Sequence, residues 1–114
     1  MKIGQIMIQN YSIQFKGVIV IETEKQVETH LKKQCKKQNI FCEKLKFISC
    51  NGAPDRILIK NGTVLFLELK RNGEEPRKNQ KALHKQMKSY GAIVNWTDSK
   101  QGVNKILEKY FGTN

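Results

Sequence analysis

Apolar and polar positions alternate over residues 2–9 (KIGQIMIQ), the period of a strand, and a turn follows at Asn10-Tyr11-Ser12. Residues 13–22 (IQFKGVIVIE) read as a second strand, β-branched toward its end. The period then changes. Glu24, Val27, Glu28, Leu31 and Cys35 fall on one face of a helix over about residues 24–38, with Thr23 as its N-cap and Asn39 at its end. Residues 41–49 read as a strand through Phe41, Leu45, Phe47 and Ile48. Two short apolar runs follow, Ile57-Leu58-Ile59 and Val64-Leu65-Phe66-Leu67, with Asn61-Gly62 between them, a strong hairpin signal. After the polar loop Arg71-Asn72-Gly73-Glu74-Glu75, Pro76 fits the first turn of a helix that runs to about Tyr90 and is closed by Gly91. Its predicted inward face is Gln80, Leu83, Met87 and Tyr90. Residues 92–97 (AIVNWT) form a strand, and Asp98 or Ser99 caps a last helix with the stripe Val103, Ile106, Leu107, Tyr110, Phe111.

The predicted order is a strand pair, then α-β-β-β-α-β-α. Three consecutive strands can be antiparallel neighbours, with the helix at 76–90 a right-handed crossover to a parallel strand. That is an α/β fold with a mixed central sheet flanked by helices. At 114 residues the chain suits one domain with a real core, and its 39% apolar content is too high for a disordered chain.

Charge changes the picture. The net charge is +11, from 21 Lys+Arg against 10 Asp+Glu, which points to a polyanionic partner. The basic residues cluster: Lys32, Lys33, Lys36, Lys37, Lys44 and Lys46 against Glu43, then Lys70, Arg71, Arg77, Lys78, Lys81, Lys85 and Lys88 against Glu74 and Glu75. Nucleic acid is the expected partner. No apolar run approaches a membrane span, and neither basic segment has a broad aromatic face, so a membrane is not expected. No signal-type segment begins the chain, and Cys35, Cys42 and Cys50 form no C-x-x-C pair. Reduced thiols in a cytoplasmic setting are expected, with no zinc site and no disulfide framework.

The candidate chemistry sits on the hairpin. A two-residue turn at Asn61-Gly62 pairs Lys60 with Thr63, so paired positions sum to 123 and Asp55 lies opposite Glu68. Their β-carbons would be about 4.5–5.5 Å apart on one face. Two carboxylates that close destabilise each other unless a cation joins them, and Mg²⁺ prefers such oxygens. Lys70, two residues past Glu68, points to the same face. That face also carries Ile57, Ile59, Val64 and Phe66, and the other carries Leu58, Leu65, Leu67 and Leu69, so a sheet covered on both faces is expected. Charges at its end are costly unless they serve a site. The ordinary alternative is an exposed hairpin end with a surface ion pair.

The combination Gly52-x-Pro54-Asp55, Glu68-x-Lys70 and Gln80 at the start of a basic helix resembles the PD-(D/E)xK nuclease superfamily, and more narrowly the virus-type replication-repair nuclease (VRR-NUC) domain. The likeness covers about residues 24–107 and leaves residues 1–22 as an N-terminal extension on a core of residues 23–114. It implies that Asp55 and Glu68 bind Mg²⁺ or Mn²⁺, with the backbone carbonyl of Leu69 on the same ion. Lys70 is then the catalytic lysine and Gln80 the helix glutamine of the site. Glu24 matches the first-helix glutamate, acting through water or a second ion, with Glu28 as its alternative. Lys46 matches a basic position before the turn. Arg71, Lys78, Lys81 and Lys85 are the expected DNA contacts. His30 lies off the Glu24 face, and His84, one turn after Gln80, is expected to face solvent.

The activity so implied is metal-dependent hydrolysis of DNA phosphodiester bonds by an endonuclease, selective for branched DNA such as Holliday junctions. Stand-alone members are associated with phage or bacterial DNA repair, and a homodimer is implied. The N-terminal strands would contribute to its interface or brace it. The alternatives are a restriction-type or RNA-directed nuclease on the same fold, and a DNA-binding module without catalysis.

Overall fold

A computed structural model describes residues 21–112. The predicted strands over 2–9 and 13–22 lie outside it, except for Ile21 and Glu22, which are not in a strand. The elements run α1 (Glu24–Lys37), β1 (Phe41–Lys44), β2 (Arg56–Lys60), β3 (Thr63–Leu69), α2 (Lys78–Ser89), β4 (Ile93–Thr97) and α3 (Lys100–Phe111). The four strands make one sheet in the order β1-β2-β3-β4. β1, β2 and β3 are antiparallel neighbours, and β4 is parallel to β3.

Local chemistry explains most of the boundaries. Thr23 caps α1 through a capping box, its side chain accepting from the Gln26 N–H while Gln26 Oε1 accepts from the Thr23 N–H. Asn39 turns the chain out of α1 with φ 59°. Asn61 and Gly62 both have positive φ, 49° and 84°, as a two-residue hairpin turn requires. Ser99 caps α3 by accepting from the Gly102 N–H at 2.9 Å.

Two boundaries differ from the sequence expectation. β1 stops at Lys44 instead of running to residue 49, although the Leu45 N–H still bonds the Asp55 carbonyl at 2.8 Å. Beyond Leu45 the β2 partner strand has already turned away at Pro54, so the apolar residues 47 and 48 have no ladder to join. α2 begins at Lys78 with Arg77 as its N-cap, so Pro76 precedes the helix instead of opening it.

The core lies on one face of the sheet. Leu58, Leu65, Leu67 and Leu69 point there and meet Val27, Leu31 and Cys35 of α1 and Val103 and Leu107 of α3. Burying each of the larger aliphatic side chains contributes about 1.5–3 kcal/mol. Cys35 and Cys42 meet within this layer as free thiols, and Cys50 is exposed. The opposite face is covered only in part, which corrects the expectation of a sheet enclosed on both sides. α2 packs on β4, over buried Val94, and toward the Glu68 end. Phe41 and Val64 near the hairpin turn, and Trp96 beside Glu68 at the other end, remain exposed among the described residues. One helix of 12 residues spans only about 18 Å and cannot shield four strands.

Gly102, inside α3, is required by a contact and not by its φ. A β-carbon there would overlap the Thr97 side chain at the end of β4. Alanine normally favours a helix interior over glycine by about 1 kcal/mol. The prediction is the reverse sign: Gly102→Ala lowers the melting temperature, and adding Thr97→Ala recovers part of the loss. Thermal denaturation of wild type and the two variants, followed by circular dichroism, measures both.

Candidate metal and catalytic site

The site grows from the hairpin register. The observed pairs Lys60↔Thr63, Ile59↔Val64, Leu58↔Leu65, Ile57↔Phe66 and Arg56↔Leu67 place Asp55 opposite Glu68, as the turn predicts. The next hydrogen-bonded pair would be Pro54 with Leu69. Proline has no N–H, so the Leu69 carbonyl is left without its ladder donor. The Leu69 N–H is taken by the Asp55 side chain, to Oδ2 at 2.8 Å. A strand residue sends its N–H and C=O to the same side, so the Leu69 carbonyl opens beside the Asp55 carboxylate.

Glu68 is almost fully buried, with 2% of its surface exposed. Its Oε2 accepts from Gln80 Nε2 at 3.0 Å and lies 3.4 Å from Lys70 Nζ. Its Oε1 is buried with no partner. Burial, and then the charge of Asp55, push the Glu68 carboxyl from 4.5 up to about 7. Lys70 opposes the shift without cancelling it. Lys70 is itself buried, and its backbone N–H bonds the Thr97 carbonyl at 3.0 Å, which ties the site to β4.

α2 brings Gln80 to Glu68. The Gln80 side chain also accepts the Arg77 N–H at 2.7 Å, so the residue that opens the helix is bound to the site. Gly52, at φ 96°, lets the turn before Asp55 press against α2, since a β-carbon there would sit 3.0 Å from the Asn79 carbonyl oxygen. The loop after Lys70 is held by a cluster that the sequence did not suggest. Asn72 exchanges bonds with the Glu22 backbone, Gly73 bonds the Asp98 carboxylate, and Glu22 Oε1 accepts the Lys100 N–H at the start of α3. A carboxylate at a helix N-terminus is favourable.

The two α1 glutamates separate clearly. Glu24 lies close enough to Asp55 and Lys70 for their charges to act on it, and burial followed by the Asp55 charge raises its carboxyl. Glu28, the alternative, forms an ion pair with buried Arg56 and lies 3.8 Å from Lys44. Burial pushes the Glu28 carboxyl up, but its hydrogen bond with Arg56 helps bring it below the usual range. Glu28 is thus committed to a structural pair. His30 bonds Asn104 across α1 and α3, away from the site.

The basic residues predicted to meet DNA, Lys46, Arg71, Lys78, Lys81 and Lys85, are all exposed. Arg71 pairs with Glu74 at 3.3 Å, and Lys81 pairs with Glu75. Two positions on α2 correct the expected inward face. Tyr90 is 86% exposed, whereas His84 is buried at 6%. Gln80 and His84 are one turn apart and face the site together, and this rotates Tyr90 outward.

Among solved structures, one titled "VRR_NUC domain" superposes with a TM-score of 0.71 at 26% sequence identity, covering 77% of this chain and 98% of that one. The chain has the fold of a VRR_NUC domain. No family model and no curated protein matches its sequence. The VRR_NUC match is to a PD-(D/E)xK structure, so the expected α/β fold class, a mixed four-stranded sheet with three helices, is the one observed. No described helix is long and apolar enough to cross a membrane.

Among the described residues no three His, Cys, Asp or Glu side chains converge as a metal cluster. Asp55, Glu68 and the Leu69 backbone share one end of the hairpin, where the Leu69 N–H is bound to Asp55 and the Asp55 charge acts on Glu68. Mg²⁺ suits such a set, because it is commonly held by one or two carboxylates and keeps several waters. The unpartnered Glu68 Oε1 is the direct sign of fit: a buried carboxylate oxygen is costly without a donor or cation.

The Glu68 shift has a defined consequence for stability. The folded chain holds this proton more tightly than the unfolded chain. The associated stability is fully present below pH 4.5 and is lost as pH rises through about 7. The loss amounts to about 3 kcal/mol. Without divalent metal, wild type should therefore lose about that much relative to Glu68→Gln between mildly acidic and mildly alkaline pH. Millimolar Mg²⁺ should restore part of it only in wild type. Urea denaturation of both proteins across pH, with and without Mg²⁺, checks the sign.

Proposed function

We propose that this protein is a metal-dependent DNA endonuclease that hydrolyses phosphodiester bonds, selective for branched DNA and acting as a homodimer. The carrying observation is the buried Glu68 carboxylate with one unpartnered oxygen, opposite Asp55 and beside Lys70. Binding DNA alone calls for no carboxylate pair within so basic a chain. The VRR_NUC fold and the net charge of +11 support the same reading.

In this reading Asp55, Glu68 and the Leu69 carbonyl hold Mg²⁺ or Mn²⁺. When bound, the ion supplies positive charge against the phosphate and makes water a stronger nucleophile. Lys70 Nζ orients the attacking water and offsets negative charge that grows on the phosphate in the transition state. Gln80 holds Glu68 Oε2, which leaves Oε1 for the ion. Glu24 acts through water at the edge of the site. Lys46, Arg71, Lys78, Lys81 and Lys85 take the DNA backbone, with Arg71 and Lys81 exchanging Glu74 and Glu75 for phosphate. Exposed pairs of that kind contribute at most about 1 kcal/mol, so the exchange is inexpensive. Two sites related by two-fold symmetry would match a symmetric junction.

Labelled four-way, flap and linear DNAs, incubated with and without Mg²⁺, test this reading. Wild type should nick the four-way junction at paired positions only with metal. Asp55→Ala and Glu68→Ala should abolish cleavage while remaining folded. Lys70→Ala should lower the cleavage rate by orders of magnitude and junction affinity little, because one contact among many adds little to binding. Preferred cutting of linear duplex would favour a restriction-type enzyme, and binding without cleavage would leave a DNA-binding module.

The face of α2 carries its own prediction. Each lost phosphate contact flattens the log–log salt dependence of DNA affinity by about 0.9. Lys78→Ala/Lys81→Ala should reduce the slope by about twice that amount. An unchanged slope, measured by fluorescence anisotropy over a salt series, would remove α2 from the binding surface.

A further inference from the structure

Trp96 plays no part in the mechanism above, and its place is unusual for a tryptophan. Large aromatic side chains are mostly well covered. This one is 41% exposed, on β4 at the edge of the described sheet. Phe41, Ile48 and Val64 are exposed too, and scattered apolar residues of that kind need no explanation. Trp96 differs by its position. In the parallel ladder it is the direct partner of Glu68, so the two side chains point to one face from strands about 4.8 Å apart. The pairing continues past them, where the Lys70 N–H bonds the Thr97 carbonyl at 3.0 Å, and Lys70 lies on the face of Glu68. The indole thus stands beside the Glu68–Lys70 pair, open where they are buried.

Covering Glu68 calls only for the packed part of such a side chain, and leucine could supply that. What the indole adds is an open aromatic surface. Arg71, Arg77 and Lys78, at the two ends of the loop from β3 to α2, are exposed and basic. A nucleic-acid strand at the metal site therefore meets positive charge for its phosphates and one aromatic ring for a base. Sites for unpaired strands combine those two elements. In a continuous duplex every base is already stacked and paired. Bringing one out costs a few kcal/mol, and least where the base is already unpaired.

We propose that Trp96 determines specificity: its exposed indole is a stacking platform for an unpaired nucleobase of the DNA strand held at the Glu68 end of the sheet. Branch points that offer such a base are then favoured over continuous duplex. The proposal rests on the nuclease reading of the site and names the feature of branched DNA that the site selects. Phenylalanine keeps an aromatic face at this position, and leucine supplies apolar volume alone.

The full chain carries its own probe, because Trp96 is its only tryptophan. Two DNAs of equal length are compared without divalent metal, so that neither is cut: a fully paired duplex, and a fork with unpaired nucleotides at its branch. The fork should quench the Trp96 emission and shield it from iodide, and the duplex should leave it nearly unchanged. Affinities for the labelled DNAs, read by fluorescence anisotropy, should favour the fork by about tenfold in wild type, the scale of one base–aromatic stack. Trp96→Phe should keep most of that preference and Trp96→Leu should lose it, with duplex affinity unchanged in both. Three results overturn the inference: iodide that fails to reach the indole of the free protein, emission that responds alike to fork and duplex, or a Trp96→Leu protein that keeps the preference. Should neither variant fold, the wild-type emission decides alone. The nuclease reading fails separately. A fork preference lost in Trp96→Leu, with no cleavage by wild type once Mg²⁺ is added, leaves the stacking platform in a DNA-binding module. Cleavage of fork and duplex at equal rates by both wild type and Trp96→Leu leaves the nuclease and removes the platform.

Discussion

The register of one hairpin governs everything built at the candidate site. Asn61 and Gly62 both take positive φ, and this closes a two-residue turn with Lys60 opposite Thr63. From there each pair is determined, down to Asp55 beside Glu68. A slip of one residue would move every side chain of a strand to the other face. With β3 slipped, Leu65 and Leu67 would leave the α1–α3 layer and Glu68 would enter it. Core burial therefore enforces the same register that brings the two carboxylates together. Folding energy and site geometry are one constraint here.

That constraint has a cost, concentrated in Glu68. Its carboxylate is out of water, faces a like charge, and has only Gln80 and Lys70 on one of its two oxygens. An arrangement of this kind is destabilised in its ionised form, which is why the carboxyl is raised to about 7. The same desolvation strengthens attraction to a cation, because water no longer screens the charge. Pro54 works in the same direction by removing one ladder donor and freeing the Leu69 carbonyl. The exposed hairpin end with a surface ion pair, the ordinary alternative, does not describe a pair buried to this degree.

Much of this was legible in the chain. The order of elements, the parallel β4, the Thr23 and Ser99 caps and the hairpin register all follow from short-range rules: turn chemistry, capping and hydrophobic period. The likeness to the VRR_NUC fold rests on the local signature Gly52-x-Pro54-Asp55 with Glu68-x-Lys70, and the superposition with a VRR_NUC domain agrees with it. The misreadings were of another kind. Residues 47 and 48 have apolar character but no partner strand, so β1 ends early. The period of α2 put Tyr90 inward and His84 toward solvent; the packing of Asn79 and Gln80 against Gly52 and the bond from Gln80 to Glu68 set the opposite rotation.

What the sequence by itself determined, then, is everything set by neighbours within a few residues: the turn, the pairing that radiates from it, the caps, and the convergence of Asp55, Glu68 and Lys70 on one face. What only the tertiary structure decided depends on which surfaces meet. The choice of Glu24 and not Glu28 beside Asp55 turns on Arg56, a residue of another element that takes Glu28 for an ion pair. The burial of His84, the tie from Glu22 to the start of α3, and the half-covered sheet face are likewise contacts between segments far apart in the chain. Periodicity names the faces of a helix or strand but not their partners, because the identity of a partner is a property of packing and not of any one segment.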